Sequence, residues 1–387
     1  MATFVSGNGA LPSGDDMAAE TVANIAQTQA MSADEIALYD RQIRLWGVKA
    51  QEKLRTAKIL LINMKALANE IAKNLVLAGV GSLTVIDHAI VTEDDLGAQF
   101  LVSEDDIGKN RAEAVAPQLQ RLNPRVSLKV DQEDISLKGP EYFSGFDIIV
   151  ATDLDMNILL AINASTRIQS RPFYAAGTHG MFGYIFADLI THDYVIEREK
   201  SNIPTVLKAE TETRSIIGCS TKKENGKLKE IVTKREKYSP LLLANTAPLP
   251  PEIRNNRRRL RQVPPLLSCL RALWEFQRLS SDVSPSHSHA EVALFTTVAT
   301  EKHKELNLPP ETLTSDFLRC FLQNVGSELA PVTAFLGGQL AQDIINVLGH
   351  REQPIQNLLI FDGEETRAPV FPLWPMVPVD GPIMDSV

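Results

Sequence analysis

Two short, uninterrupted apolar runs with one helical segment between them constrain this chain more than any other feature. Lys58-Ile-Leu-Leu-Ile-Asn63 and Leu83-Thr-Val-Ile-Asp87 have the length and continuity of strands buried on both faces. Between them Ala68, Ile71, Ala72 and Leu75 recur at helical spacing, and Gly79 supplies a stop. Strand, helix and strand within about thirty residues form a βαβ unit, which dictates parallel pairing and a right-handed crossover.

The alternation continues downstream. A helix is expected from Gly108 to Leu122 with Pro117 inside it, then a turn at Asn123-Pro124 and a strand from Val126 to Val130. Phe146 to Ala151 reads as a strand and Asp155 to Gln169 as a helix. Phe173 to Ala176 and Gly183 to Ile190 read as further strands. The fold class is therefore α/β: a Rossmann-like, mainly parallel sheet with flanking helices.

Four stretches follow from this pattern. Residues 1–31 are rich in Gly, Ala, Ser and Asp without periodicity and read as a disordered tail. The first part of the α/β domain spans 32–190. It opens on a capping box, Ser32 to Glu35, followed by Ile36, Tyr39, Ile43 and Trp46 on one helical face. In 191–315 Lys, Glu and Pro accumulate, as in Lys222-Lys-Glu-Asn-Gly-Lys227, and an inserted, partly helical region with flexible loops is expected. Residues 316–387 return to the domain, with a helix from Pro331 to Leu348 stopped by Gly349, a last buried strand at Leu358 to Asp362, and a C-terminal tail.

Composition excludes several classes of function. A net charge of −9 speaks against general nucleic-acid binding. No apolar run approaches the ~20 residues of a membrane span, and the N-terminus lacks the pattern of a secretory signal. A soluble, intracellular protein is expected. Its three cysteines, Cys219, Cys269 and Cys320, form no CxxC pair, so neither a zinc site nor a disulfide framework is indicated.

A βαβ unit of this kind ordinarily holds a nucleotide on a glycine-rich turn, with an acid about 20 residues on for the ribose. Asp87 suits the ribose position, but the turn reads Asn63-Met-Lys-Ala-Leu-Ala68 and contains no glycine. Asn63 tolerates a left-handed backbone. Ala66 and Ala68 put β-carbons where phosphates need bare backbone. Productive binding of ATP or a dinucleotide is not expected there.

Tyr39-Asp-Arg-Gln-Ile-Arg-Leu-Trp-Gly47, this unit, Asp94-Asp-Leu-Gly-Ala-Gln-Phe-Leu101 and Asn123-Pro124 together resemble the ThiF/MoeB-like family that activates ubiquitin-like proteins. Within that family, Gly97-Ala-Gln-Phe-Leu101 and Ala330-Pro-Val-Thr-Ala-Phe-Leu-Gly-Gly-Gln-Leu-Ala-Gln-Asp343 look most like the smaller subunits of SUMO-activating heterodimers. The likeness covers 35–190 and 316–363. Against the family's adenylation site, Ala89 stands for the second acid of Asp-x-Asp, Asp95 for an Asn, Ala98 for an Arg and Arg111 for a Lys. Ala151 stands for the metal-binding Asp, with Asp153 and Asp155 close by. None of the cysteines matches the thioester-forming position, Cys219 being the least implausible.

The resemblance thus implies a non-catalytic subunit that binds no cofactor and no metal in its own pocket, where Asp87 is a vestige. ATP and Mg2+ belong to a larger catalytic partner, and SUMO is the modifier. Arg41 matches an arginine that reaches the partner's ATP in trans, and Arg44, one turn on, would assist. The implied location is the nucleus, with the cytoplasm as a second compartment. Competing readings are the regulatory subunit for NEDD8, a self-sufficient homodimeric sulfur-carrier adenylyltransferase, and a dinucleotide-dependent oxidoreductase suggested by the βαβ unit alone. Gly337-Gly338, inside a helix, implies close backbone approach to another element, in the chain or at a subunit interface. Arg254-Asn-Asn-Arg-Arg-Arg-Leu-Arg261 is either a solvated basic face or a nuclear-import signal.

Overall fold

The computed structural model describes residues 31–224, 226–279, 285 and 288–375. The expected N-terminal tail therefore lies, except for Met31, outside the described residues. Five strands run parallel: β1 (Lys58–Ile62), β2 (Ser82–Ile86), β3 (Ser127–Asp131), β4 (Ile148–Thr152) and β5 (Phe173–His179). β6 (Phe182–Asp188) pairs antiparallel with β5. Further along the chain, β10 (Leu358–Asp362) and the short β11 (Val370–Phe371) extend the same sheet. The spatial order is β11-β10-β6-β5-β4-β1-β2-β3. β1 is flanked by β2 on one side and β4 on the other, so the chain reverses its direction of winding beside β1. In open α/β sheets that reversal is where a crevice forms beyond the strand ends.

The continuous apolar runs exist because the sheet is covered on both faces. Leu60 and Ile62 of β1 enter one core with α6 (Met156–Ile168), α10 (Leu266–Leu279), α11 (His289–Glu305) and α12 (Ser315–Asn324). Ile59 and Leu61 enter the other, with α4 (Ala66–Ala78) and α13 (Ala330–Gly349). Alternate residues of one strand thus serve opposite layers, as the period of two requires.

Three expectations need correction. The N-terminal helix is broken at Tyr39 into α1 (Ala33–Leu38) and α2 (Asp40–Trp46), followed by α3 (Val48–Thr56). The region read as partly helical begins instead with a three-stranded antiparallel sheet: β7 (Thr191–Glu199), β8 (Arg214–Glu224) and β9 (Lys227–Lys237), in the order β7-β9-β8. Its helices follow, and α10 to α12 share the core of the main sheet. Gly349 is not the stop of α13 but its last residue. His350 takes the left-handed conformation after it, at φ 52°.

The two glycines of α13 divide in role. A β-carbon on Gly337 would lie 2.5 Å from Glu70 Cβ on α4, whereas one on Gly338 meets nothing within 4 Å. Gly337 is therefore the point where α13 and α4 touch backbone to backbone. Gly337→Ala is expected to destabilise the chain by roughly 1–3 kcal/mol through overpacking. Gly338→Ala is expected to stabilise it by up to about 1 kcal/mol. Urea unfolding of the two variants checks the contrast.

Candidate functional site

The crevice beyond β1 and β2 is built from the glycine-free turn. Asn63 alone takes a left-handed backbone, at φ 69°, and Lys65 is already extended at φ −83°. The Asn63 side chain secures this by donating Nδ2 to the carbonyls of Thr152 and Asp153, at 2.8 and 3.1 Å. One asparagine thus makes the turn that glycine makes elsewhere.

Asp87 stands at the end of β2, where the sequence placed it, and is fully engaged. Its Oδ2 accepts from Met64 N–H at 2.8 Å and from Arg111 Nη1 at 3.1 Å; its Oδ1 accepts from Ala89 N–H at 2.9 Å. Arg111 also reaches Asp95 Oδ2, at 3.4 Å. All three side chains are buried. Asp95 in turn accepts from Gln99 Nε2 at 2.6 Å, and Gln99 Oε1 accepts from Asn69 of α4 at 3.1 Å. The Gly97-Ala-Gln-Phe string is therefore wired through Gln99 into the crevice.

A residue that the sequence did not point to completes the site. The N-terminus of α4 has no side-chain cap of its own, and Ala66 N–H donates to Glu328 Oε1 at 2.9 Å. Glu328 comes from the segment between α12 and α13. That segment is pinned over the strand ends by Gly180 N–H to the Ser327 carbonyl, at 2.8 Å, and Gly326 N–H to His179 Nδ1, at 3.1 Å. The carboxylate sits where a βαβ unit receives a phosphate. Burial, with Asp153 nearby, pushes the Glu328 carboxyl up to about 7. Burial also raises Asp153, whose Oδ1 accepts from Thr178 N–H at 2.8 Å.

These residues do not fit a polyphosphate. An incoming anion would meet the Glu328 carboxylate and the alanine β-carbons rather than a row of free N–H groups. Ala151, aligned to a metal ligand, lies fully buried inside β4, and Asp153 is the residue at the strand tip. Asp155 is the N-cap position of α6 and accepts from Gln277 at 3.1 Å. Among the described residues no cluster of His, Cys, Asp or Glu has metal-holding geometry. Cys269 is buried, which pushes its thiol up, and Cys320 is raised as well, by burial and by Glu364. Cys219 is exposed on β8.

Some distance from the crevice, α2 is docked by its inner face alone. Tyr39 is buried, and its hydroxyl accepts from Asn123 Nδ2 at 2.8 Å; the same amide bonds the Val76 carbonyl at 2.9 Å. Gly79, at φ 80°, leaves room for the Tyr39 ring, since a β-carbon there would lie 2.5 Å from its hydroxyl oxygen. Gln42 donates to the Leu77 carbonyl at 3.1 Å, and Trp46 Nε1 to Gln51 at 2.9 Å. The outer face is open. Arg41 is exposed and has no ion pair among the described residues; Arg44 pairs with Asp40 at 2.8 Å. Around them Leu38, Leu45 and Val48 are 58%, 78% and 44% exposed.

The raised Glu328 carboxyl has a measurable consequence. Folded, it keeps its proton to about pH 7, against an ordinary 4.5, so the folded chain binds more protons in that window. Its contribution to stability therefore falls as pH rises from about 4.5 to 7. Relative to wild type, Glu328→Gln is expected to flatten this fall by on the order of 1–2 kcal/mol, allowing for partial exposure. Urea unfolding at pH 5 and pH 8 measures the difference.

Comparison with known proteins places this geometry. The sequence profile of the ThiF family matches residues 39–378. DNA damage tolerance protein RHC31 of Saccharomyces cerevisiae is 37% identical over 353 residues, 89% of this chain and 99% of that protein. SUMO-activating enzyme subunit 1 of Homo sapiens is 35% identical over 335 residues, 86% of this chain and 93% of that protein. Among solved structures, the chain is similar to E. coli MccB with succinimide, at 15% identity and a TM-score of 0.48, over 86% of this chain and 70% of that one. On the extent of the profile match and of these relatives, the chain belongs to the ThiF family.

Proposed function

We propose that this chain is the smaller, non-catalytic subunit of a heterodimeric SUMO-activating enzyme. The modifier is adenylated and taken up as a thioester on the larger subunit. Support comes first from the relatives called SUMO-activating enzyme subunit 1, which this chain matches over 86% of its length. The crevice adds to it, because Asp87 is already bonded to Arg111 and the α4 N-terminus to Glu328. On this reading ATP and Mg2+ are held by the partner and none by this chain. The implied location is the nucleus, with the cytoplasm as a second compartment, and imaging of the tagged chain tests it.

The observation that carries the reading is the outer face of α2. A guanidinium without an ion pair among the described residues stands there among exposed leucines and a valine, on an element hydrogen-bonded from behind. Such a face is suited to a partner surface: the apolar side chains supply burial, and Arg41 enters the partner's site. A guanidinium fork matches phosphate oxygens and offsets charge on a departing pyrophosphate. Arg44, one turn further on and paired with Asp40 at 2.8 Å, assists.

SUMO-dependent ATP–pyrophosphate exchange tests this. The chain alone is expected to be silent and the mixture with the larger subunit active. Arg41→Ala is expected to reduce exchange roughly 10- to 1,000-fold, below the range known for arginines supplied in trans to GTPases. Exchange by the chain alone would overturn the proposal. Leu45→Asp, on an open surface, is expected to leave the fold intact and to weaken association of the subunits by about 10- to 100-fold. Analytical ultracentrifugation measures that loss.

A further inference from the structure

Residues 254–261 place five arginines in eight positions of a chain whose net charge is −9. Two short helices, α8 (Pro251–Arg254) and α9 (Arg257–Leu260), fix them in place. Asn256 caps α9 by accepting from the N–H groups of Arg258 and Arg259, at 3.0 and 3.2 Å. Ile253 and Leu260 pack against the core behind, while Arg257, Arg258, Arg259 and Arg261 are exposed.

This charge is not neutralised locally. Arg254, Arg257 and Arg258 have no carboxylate partner among the described residues, and Arg261 reaches Glu311 only at 3.7 Å. Several other arginines are closely paired, Arg55, Arg198, Arg214 and Arg235 each finding a carboxylate within 3.2 Å, and no other stretch of eight residues gathers so many that are not. Holding like charges together costs self-repulsion, so a folded, unpaired cluster is not explained by stability. Next to it an open cavity of about 460 Å³ is lined by Gln262, Arg367, Ala368 and Pro369.

We infer that this surface docks an extended, acidic segment of a protein partner, its carboxylates on the arginine forks and one apolar side chain in the cavity beside Pro369. Guanidinium groups grip carboxylates with two parallel hydrogen bonds, which favours arginine over lysine at such a surface. The overall negative charge disfavours nucleic acid. The anchoring of Ile253 and Leu260 withholds the segment from a receptor that would read it as an extended chain, so the import reading of the cluster is not favoured.

Fluorescence anisotropy on the full chain tests the inference. The probe is a labelled ten-residue peptide of glutamates around one leucine. Its affinity is expected to fall at least about tenfold between low and physiological salt, as charge screening requires. The triple variant Arg257→Glu, Arg258→Glu, Arg259→Glu is expected to lose at least another tenfold. Replacing the same three residues with lysine should retain part of the binding. Unchanged thermal unfolding of both variants guards against misfolding, since the substituted side chains are exposed. Peptide binding that ignores the triple variant overturns the inference. So does arginine-dependent binding of a single-stranded oligonucleotide that is tighter than that of the peptide.

Discussion

The buried guanidinium of Arg111, held between Asp87 and Asp95, is the interaction on which the rest of this structure depends. Burying three charges costs several kcal/mol of desolvation per ion, which the hydrogen bonds of the group must offset; Arg111 Nε is buried without a partner, and both of its Nη atoms are bonded. Here Asp87 takes two backbone N–H groups as well as the arginine. Asp95 takes Thr92 N–H and Gln99. Together they tie the end of β2, the start of the following helix (Arg111–Leu122), the loop of Gly97 to Phe100 and α4 into one body. The frame of a nucleotide-binding βαβ unit is kept, and its crevice has become part of the core. Glu328 does for the helix N-terminus what Arg111 does for Asp87: each supplies from within the chain a hydrogen-bond partner at a position where a ligand would bond.

With the crevice occupied by Arg111 and Glu328, the proposed role falls to the outward surfaces. Tyr39, Gly79 and Asn123 form one contact that holds the N-terminal helices against the far end of α4. Arg351 adds a bond from the end of α13 to the Trp46 carbonyl, at 3.1 Å. Motif residues that look like recognition elements in the sequence are therefore largely the mounting of α2. What α2 presents is the opposite face, where Arg41 has no ion pair among the described residues.

The sheet was legible because its strands are continuous apolar runs, and Asp87 because its distance from β1 is set by one helix and one strand. Glu328 was not legible: its contact to Ala66 spans 262 residues, and only the return of α13 onto α4 creates it. The three-stranded sheet of 191–237 was missed for another reason. Its strands carry lysine, arginine and glutamate, which read as loop in one dimension. They pair across the sheet, Arg214 with Glu236 and Arg235 with Asp193, so that charge becomes cross-strand contact. Gly337 was read correctly as a point of close approach. Which element approaches, α4 of the same chain, depended on tertiary structure. Ala151 lies inside β4 while Asp153 follows its last residue, and the apolar run alone does not show that the strand end is tied down by the Asn63 bonds to Thr152 and Asp153.

The most direct test is a count of nucleotide sites. Equilibrium binding of radiolabelled ATP with Mg2+ would be measured on this chain alone and on its heterodimer with the larger subunit. A crevice filled by Arg111 and Glu328 requires no saturable binding to the chain alone and one site per heterodimer. Two sites per heterodimer, or saturable binding to the isolated chain, would mean that these side chains give way to a ligand and that the crevice is a working one.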